Sequence, residues 1–116
     1  MSLSPAVLAR FPRLGERLRT AAIGAWPTPV EPLDELAREL GHPAAELFVK
    51  RDDRSSPVYG GNKVRTLDVL FGEALARGLP RIVATGAYGS NHALATVLHA
   101  PRVGLVPDVA LFPQPP

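Results

Sequence analysis

Proline is distributed very unevenly along this chain, and its distribution limits where regular structure can form. Of the 13 prolines in 116 residues, six lie before residue 44 and five lie after residue 100. Because proline fixes φ and has no backbone N–H to donate, it interrupts helices and the interior strands of sheets. Only Pro57 and Pro80 lie between these groups, so the organised part of the chain is predicted to be residues 46–100.

Apolar segments in and after this part alternate between strand-like and helix-like patterns. Short apolar or β-branched runs at residues 46–50, 81–85 and 108–112 are typical of strands. Residues 92–100 follow the helical period, and so does the segment that begins at Lys63 and is closed by Gly78, with an apolar face of Val64, Leu67, Phe71, Ala74 and Leu75. This alternation predicts an α/β fold with a short parallel sheet and helical crossovers.

The N-terminal part shows one helical pattern, in the stretch EPLDELARELG. Three leucines share one predicted helical face: Leu33, Leu36 and Leu40. Pro32 would be the first helical residue and Gly41 the stop. We therefore expect residues 1–45 to be a lead-in with one short helix and residues 46–116 to be a partial α/β segment.

Composition excludes several kinds of site. Hydrophobic residues make up 46% and charged residues 21% of the chain, which is ordinary for a globular protein. There are no cysteines, so disulfides, thiolate metal sites and a cysteine nucleophile are all excluded, and no metal site is predicted.

Charge and hydropathy exclude two classes of partner. The formal net charge is only +2, and no basic stripe with interleaved aromatic residues is present, so no nucleic-acid partner is expected. No apolar run has the length of a signal peptide or a membrane span, so a soluble, cytoplasmic chain without a membrane partner is expected.

Two glycine-containing loops, YGGN and GAYGSN, each end where a predicted helix begins. Ligands of parallel sheets bind at the loops that leave the carboxyl ends of strands. Asn62 and Asn91 are predicted N-caps, and the free N–H groups of either helix N-terminus could receive an anion.

Lys63 follows the first of these loops directly. An ammonium group at a helix N-terminus meets the positive end of the helix dipole, which favours the neutral amine, and a neutral lysine amine can form a Schiff base with pyridoxal phosphate. The alternative is a solvated first-turn lysine paired with a carboxylate: Asp52, Asp53 or Asp68. The residues alone leave both readings open.

The stretches FVKRDDRSSPVYGGNKVRTLDVLFGEAL and TGAYGSNHALATVL resemble fold-type-II pyridoxal-phosphate enzymes, the tryptophan synthase β-subunit fold group. More narrowly, they resemble the family of 1-aminocyclopropane-1-carboxylate deaminase and D-cysteine desulfhydrase. Three motifs in matching order carry the resemblance: Lys-Arg-Asp-Asp, Gly-Gly-Asn-Lys-x-Arg and Ser-Asn-His. It runs from about Arg10 to the end of the chain.

The resemblance implies roles for four residues. Lys63 would be catalytic: it would bind pyridoxal 5'-phosphate as a Schiff base and move protons at the substrate carbon. Asn91 would hydrogen-bond the cofactor ring hydroxyl, and Ser90 would be a further catalytic residue that holds the substrate carboxylate. His92 would complete the substrate-binding set of Ser90, Asn91 and His92, although a capping or packing role remains open for it.

Residues around these four are expected to shape the loops. Asn62 is expected to be a cap and loop-former, and the run Lys-Arg-Asp-Asp at residues 50–53 to shape its loop. Arg65 would be either a loop anchor or a surface charge. Tyr88 stands where the site could face cofactor or substrate, or it packs with its hydroxyl in water.

The function implied is a pyridoxal-phosphate-dependent lyase or deaminase acting on a small amino acid. Members of the family are close to three times this length, so the chain is expected to be an incomplete, N-terminal part that lacks the phosphate-binding loop. The alternative is a non-catalytic remnant or interaction module of the same fold. Expected partners are the small amino-acid substrate and either further copies of the chain or a complementing chain.

Overall fold

A computed structural model describes residues 5–43 and 46–114 of the chain. The described residues contain five α-helices: α1 (Pro5–Arg10), α2 (Pro12–Arg17), α3 (Asp34–Glu39), α4 (Lys63–Ala76) and α5 (Asn91–His99). They also contain four strands: β1 (Val30–Pro32), β2 (Phe48–Lys50), β3 (Arg81–Ala87) and β4 (Val106–Phe112). Short 3-10 helices cover Asp52–Arg54 and Ala100–Val103.

The predicted α/β class and its short parallel sheet are confirmed. β3 and β4 pair in parallel from Arg81 opposite Val106 to Ala87 opposite Phe112. The chain crosses between them through α5, which packs against both strands and against α4. The GAYGSN segment therefore lies at the carboxyl end of this sheet, where β3 ends and α5 begins.

The first predicted strand does not join that sheet. It is shortened to β2, which pairs antiparallel with β1, so that Val30 lies opposite Lys50 and Pro32 opposite Phe48. The expectation that residues 46–50 join the parallel sheet is therefore wrong, because their partner is β1, a three-residue Val-Glu-Pro segment of the lead-in that shows no strand pattern of its own.

The lead-in also differs from its prediction. Pro32 ends β1 instead of starting a helix, because the Leu33 N–H continues the strand pairing by donating to the Leu47 carbonyl (2.9 Å). α3 consequently begins at Asp34, and it buries Ala37 while Leu36 and Leu40 stay exposed. The helices α1 and α2 precede it and were not predicted.

The core lies between α4, α5 and the segment that follows α5. Its buried apolar members are Leu67, Phe71, Ala74, Ala95, Ala100 and Leu105. The predicted apolar face of α4 is buried as far as Ala74, whereas Leu75 is exposed. Gly78, at φ +68°, follows the helix as predicted.

A segment of the lead-in, residues 19–26, lies along α4 and is named here the strap. The backbone N–H of Ile23 and the indole N–H of Trp26 donate to the buried carboxylate of Asp68, at 3.0 and 3.4 Å. A side chain at Gly72 would meet the backbone of Arg19 at 2.5 Å, so glycine allows this close approach. The strap thus joins the lead-in to the helix that carries Lys63.

The described chain is flat. It measures 51 × 45 × 23 Å, and its radius of gyration is 17.1 Å, against about 13 Å for a compact domain of this length. Apolar side chains remain exposed on β3, β4 and α5: Val83, Leu94, Val97, Leu98, Val106, Val109, Leu111 and Phe112. Within the described ranges, no helix is both long and apolar enough to cross a membrane.

Candidate functional site

The loop before Lys63 is held in shape by the Ser55 side chain and by two glycines. The buried hydroxyl of Ser55 donates to the Gly61 carbonyl (2.9 Å) and accepts from the Gly61 N–H (3.0 Å). Gly61 has φ +131°, a conformation that side chains rarely adopt. A Cβ at Gly60 would lie 1.7 Å from the Asp53 carbonyl oxygen. Both glycines are therefore required by the path of this loop.

Lys63 is the first residue of α4 and is half-buried. Asp52 is bound by Arg65, Asp53 by Arg51, and Asp68 by the strap. None of the hydrogen bonds or ion pairs within residues 5–43 and 46–114 involves the Lys63 amine. The ion pairs of the described residues thus include none between Lys63 and Asp52, Asp53 or Asp68.

Arg65 is an anchor of this loop. Its Nε and Nη2 donate to the two carboxylate oxygens of Asp52, at 2.8 and 2.7 Å, and Nη2 also reaches Thr28 Oγ1 at 3.2 Å. The guanidinium lies 4.1 Å from the centre of the Trp26 ring. Hydrogen bonding from Arg65 lowers the pKa of Asp52 to about 2, against the smaller opposing effect of burial.

The second loop places Ser90 and Asn91 at the head of α5. Ser90, not Asn91, is the N-cap, since its Oγ accepts the Ala93 N–H at 3.3 Å. Asn91 is the first helical residue and is exposed. Because Ser90 and Asn91 are adjacent and both residue types favour N-cap positions, the sequence did not determine which of them precedes the first residue of α5. Asn62 occupies the N-cap position of α4 as predicted, but its side chain makes no capping hydrogen bond.

Two other residues named in the sequence analysis, Tyr88 and His92, lie next to Ser90 and Asn91. Tyr88 is 66% exposed, and its backbone N–H donates to the Phe112 carbonyl (3.1 Å) at the end of β4. His92 is half-buried in the first turn of α5, where its carbonyl accepts the Thr96 hydroxyl (2.8 Å).

Tyr59 joins the two loops and was missed by the sequence analysis. Its hydroxyl donates to Asn91 Oδ1 at 2.8 Å, across 32 residues of sequence. Its ring packs against the core, so the hydroxyl is held in place. The sequence did contain one signal for Tyr59, since it is a single aromatic residue in a polar loop, four positions before Lys63.

The buried side chain of His99 makes a second hydrogen-bonded connection between α5 and the loop that precedes α4. Its Nδ1 lies 2.8 Å from the Ala95 carbonyl, which can only accept, so Nδ1 carries a proton. Its Nε2 lies 2.9 Å from Ser56 Oγ. In the neutral ring Nε2 accepts from that hydroxyl, and Ser56 in turn accepts the Val58 N–H (3.2 Å). The end of α5 is thereby fixed to the segment that leads to Tyr59.

Fold and site together define a class: an α/β protein with amine, amide and hydroxyl groups at the N-termini of two helices. The family model for pyridoxal-phosphate dependent enzymes matches residues 22–114. The chain therefore belongs to the pyridoxal-phosphate dependent enzyme family, which confirms the predicted family and its cofactor, pyridoxal phosphate.

Individual relatives agree with the narrower resemblance. A protein of Pyrococcus abyssi, provisionally assigned as a 1-aminocyclopropane-1-carboxylate deaminase, is 42% identical over 100 residues, which are 86% of this chain and 27% of the relative. D-cysteine desulfhydrase of Klebsiella pneumoniae is 43% identical over 108 residues, which are 93% of this chain and 30% of the relative. The chain thus spans under a third of the length of these relatives.

A solved structure shares the fold. The crystal structure of an ACC deaminase homologue matches 97% of this chain with a TM-score of 0.74 and 35% identity, and the match covers 32% of that protein. The predicted fold group is confirmed over nearly the whole chain.

Proposed function

We propose that this chain forms the lysine-bearing part of a pyridoxal-phosphate-dependent lyase or deaminase that acts on a small amino acid. D-cysteine and 1-aminocyclopropane-1-carboxylate are the candidate substrates, because relatives matched by this segment are named for them. The observation that carries the proposal is the Lys63 amine, which begins α4 behind a constrained loop while neighbouring carboxylates bind other donors.

The residues present fit the cofactor in their chemistry. An amine suits its aldehyde, and an amide N–H suits its ring oxygen. Gly86 allows Ser90 to take its position at the head of α5, because a Cβ at Gly86 would lie 2.5 Å from Ser90 Oγ and would displace that hydroxyl. When bound, pyridoxal phosphate supplies an electron sink that stabilises negative charge on the substrate carbon.

Four side chains have proposed roles. Lys63 would hold the cofactor covalently and, once displaced by the substrate amine, would move a proton at the substrate carbon. Asn91 would donate an N–H to the ring oxygen of the cofactor. Ser90 accepts at its Oγ from Ala93, which leaves its O–H free to bind the substrate carboxylate with the N–H groups of α5. His92 would contact the substrate beside them.

The test is covalent labelling of the chain. Pyridoxal phosphate is added, the adduct is reduced with borohydride, and the modified peptide is identified by mass spectrometry. The chain has two lysines, and the second, Lys50, is exposed and donates to the Thr28 carbonyl. We expect stoichiometric label on Lys63 and little on Lys50.

Two variants control this labelling. Lys50→Arg should retain the label, and Lys63→Arg should lose it, because arginine keeps the charge but cannot form the bond. Equal labelling of both lysines, or label that survives Lys63→Arg, would overturn the proposed function.

A second candidate is a non-catalytic interaction module of the same fold. The exposed apolar side chains of β3, β4 and α5 support it, since surfaces of this kind mark interaction sites. It predicts no retention of cofactor after gel filtration, whereas the enzyme proposal predicts a yellow protein. Further copies of this chain or a complementing chain are the proposed protein partners, and the cytoplasm is the proposed location.

A further inference from the structure

We propose that Tyr59 is a positioning residue that orients the side-chain amide of Asn91 for the cofactor. The inference rests on the proposed function, because it assigns Asn91 a hydrogen bond to the cofactor ring oxygen. It concerns a residue outside the Ser-Asn-His motif, in the loop that carries Lys63.

The Tyr59 hydroxyl contacts the Asn91 side chain directly. The Tyr59 hydroxyl lies 2.8 Å from Asn91 Oδ1. The Tyr59 ring packs against the core cluster of α4 and α5, so the hydroxyl has a fixed base. Asn91 itself is exposed, and among the described residues Tyr59 is the one hydrogen-bond partner of its side chain.

Orientation follows from the chemistry of the two groups. An asparagine amide has an acceptor oxygen on one side and an NH₂ donor on the other. A phenol that donates to Oδ1 therefore directs the NH₂ group away from Tyr59 and toward a second partner. The ring oxygen of pyridoxal phosphate needs such a donor. Without the phenol, the exposed amide would be free to rotate, and part of its population would present the wrong atom.

The contact also links two otherwise separate loops. Tyr59 precedes Lys63 by four residues, and Asn91 begins α5 beyond β3. A shift of one loop relative to the other must break this hydrogen bond. Tyr59 thus makes the position of Asn91 dependent on the loop that carries the lysine.

The variant that tests this is Tyr59→Phe, which keeps the packed ring and removes only the hydroxyl. Arg77→Ala is the control, because it also removes one side-chain hydrogen bond, the one to Glu73, but at the end of α4 opposite Lys63. The cofactor dissociation constant is measured by absorbance titration with pyridoxal phosphate. We expect roughly fivefold weaker binding for Tyr59→Phe, the size of one neutral hydrogen bond, and no change for Arg77→Ala.

A double-mutant cycle separates positioning from general stability. In the background of Asn91→Ala, Tyr59→Phe should have no further effect on cofactor binding, because there is no amide left to orient. The side-chain NH₂ signals of Asn91 in a ¹⁵N correlation spectrum should also move in Tyr59→Phe without cofactor. A merely structural role of Tyr59 would weaken binding equally in both backgrounds.

The outcomes distinguish this inference from the proposed function. If Lys63 takes the label while Tyr59→Phe binds the cofactor as tightly as the unaltered chain, only the role of Tyr59 is overturned. Equal effects of Tyr59→Phe with and without Asn91 would also overturn it. If the unaltered chain takes no label at Lys63, the proposed function fails and this inference fails with it.

Discussion

Replacing Arg65 with alanine should destabilise the chain by about 1.5–2 kcal/mol at neutral pH, and the loss should shrink in acid. Arg65 binds both carboxylate oxygens of Asp52 and stacks on Trp26. The substitution removes both interactions and frees the loop that leads into α4.

The free energy that the Arg65–Asp52 ion pair contributes to stability can be calculated from the pKa of Asp52. The pKa of Asp52 falls from its ordinary value of 3.8 to about 2, mainly through Arg65. At about 1.36 kcal/mol per pKa unit this is roughly 2.4 kcal/mol before screening. The side chains of Arg65 and Asp52 are 36% and 25% exposed, so we halve the value to about 1 kcal/mol. The contact with Trp26 adds about 0.5–1 kcal/mol.

The pH dependence has a definite sign. The folded-state pKa of Asp52 lies below its unfolded value, so its contribution is present above pH 3.8 and is lost as pH falls through about 2. The penalty of Arg65→Ala should therefore fall by about 1 kcal/mol between pH 7 and pH 2, and the part due to Trp26 should remain.

The assay is urea unfolding followed by circular dichroism at both pH values. Arg81→Ala is the control, because Arg81 also binds a carboxylate twice, that of Asp108, but is more exposed and has no ring contact among the described residues. It should cost at most about 0.5 kcal/mol. If Arg65→Ala costs no more than Arg81→Ala, or costs the same at pH 7 and pH 2, the assignment of Arg65 as an anchor is refuted.

Two further substitutions test the loops themselves. Gly60→Ala should cost about 2 kcal/mol or more and slow labelling of Lys63, because its Cβ would overlap the Asp53 carbonyl oxygen; an unchanged urea midpoint would contradict the close approach. Ser90→Ala should cost about 1 kcal/mol in urea unfolding through loss of the α5 cap, whereas Asn62→Ala, at a position without a capping bond, should cost little. Equal losses for these two caps would show that the capping hydrogen bond of Ser90 contributes nothing.

Local patterns predicted the elements that bury a continuous apolar face. α4 is the clearest case, since the helical spacing of Leu67 and Phe71 reports directly which face meets the core. β3 and β4 were also indicated, because a β-branched apolar run is itself a property of local sequence.

Features that depend on distant partners were not predictable in the same way. Strand β2 has an apolar pattern, but its pairing with β1 is settled by tertiary contacts. The Tyr59 hydrogen bond spans 32 residues and leaves no spacing signature. The shift of the α5 cap from Asn91 to Ser90 reflects a backbone turn at a single residue, which two good capping side chains cannot distinguish.

The flat shape of the chain has a consequence for its hydrogen exchange. A body 23 Å thick has room for little more than one layer of helix on one layer of sheet, which are each about 10 Å deep. Both edges of the two-stranded parallel sheet lack a strand neighbour among the described residues, so half of the amides of β3 and β4 face outward. Slow-exchanging amides should therefore concentrate in the middle of α4 and α5, and the strands should exchange before the helices that lie on them.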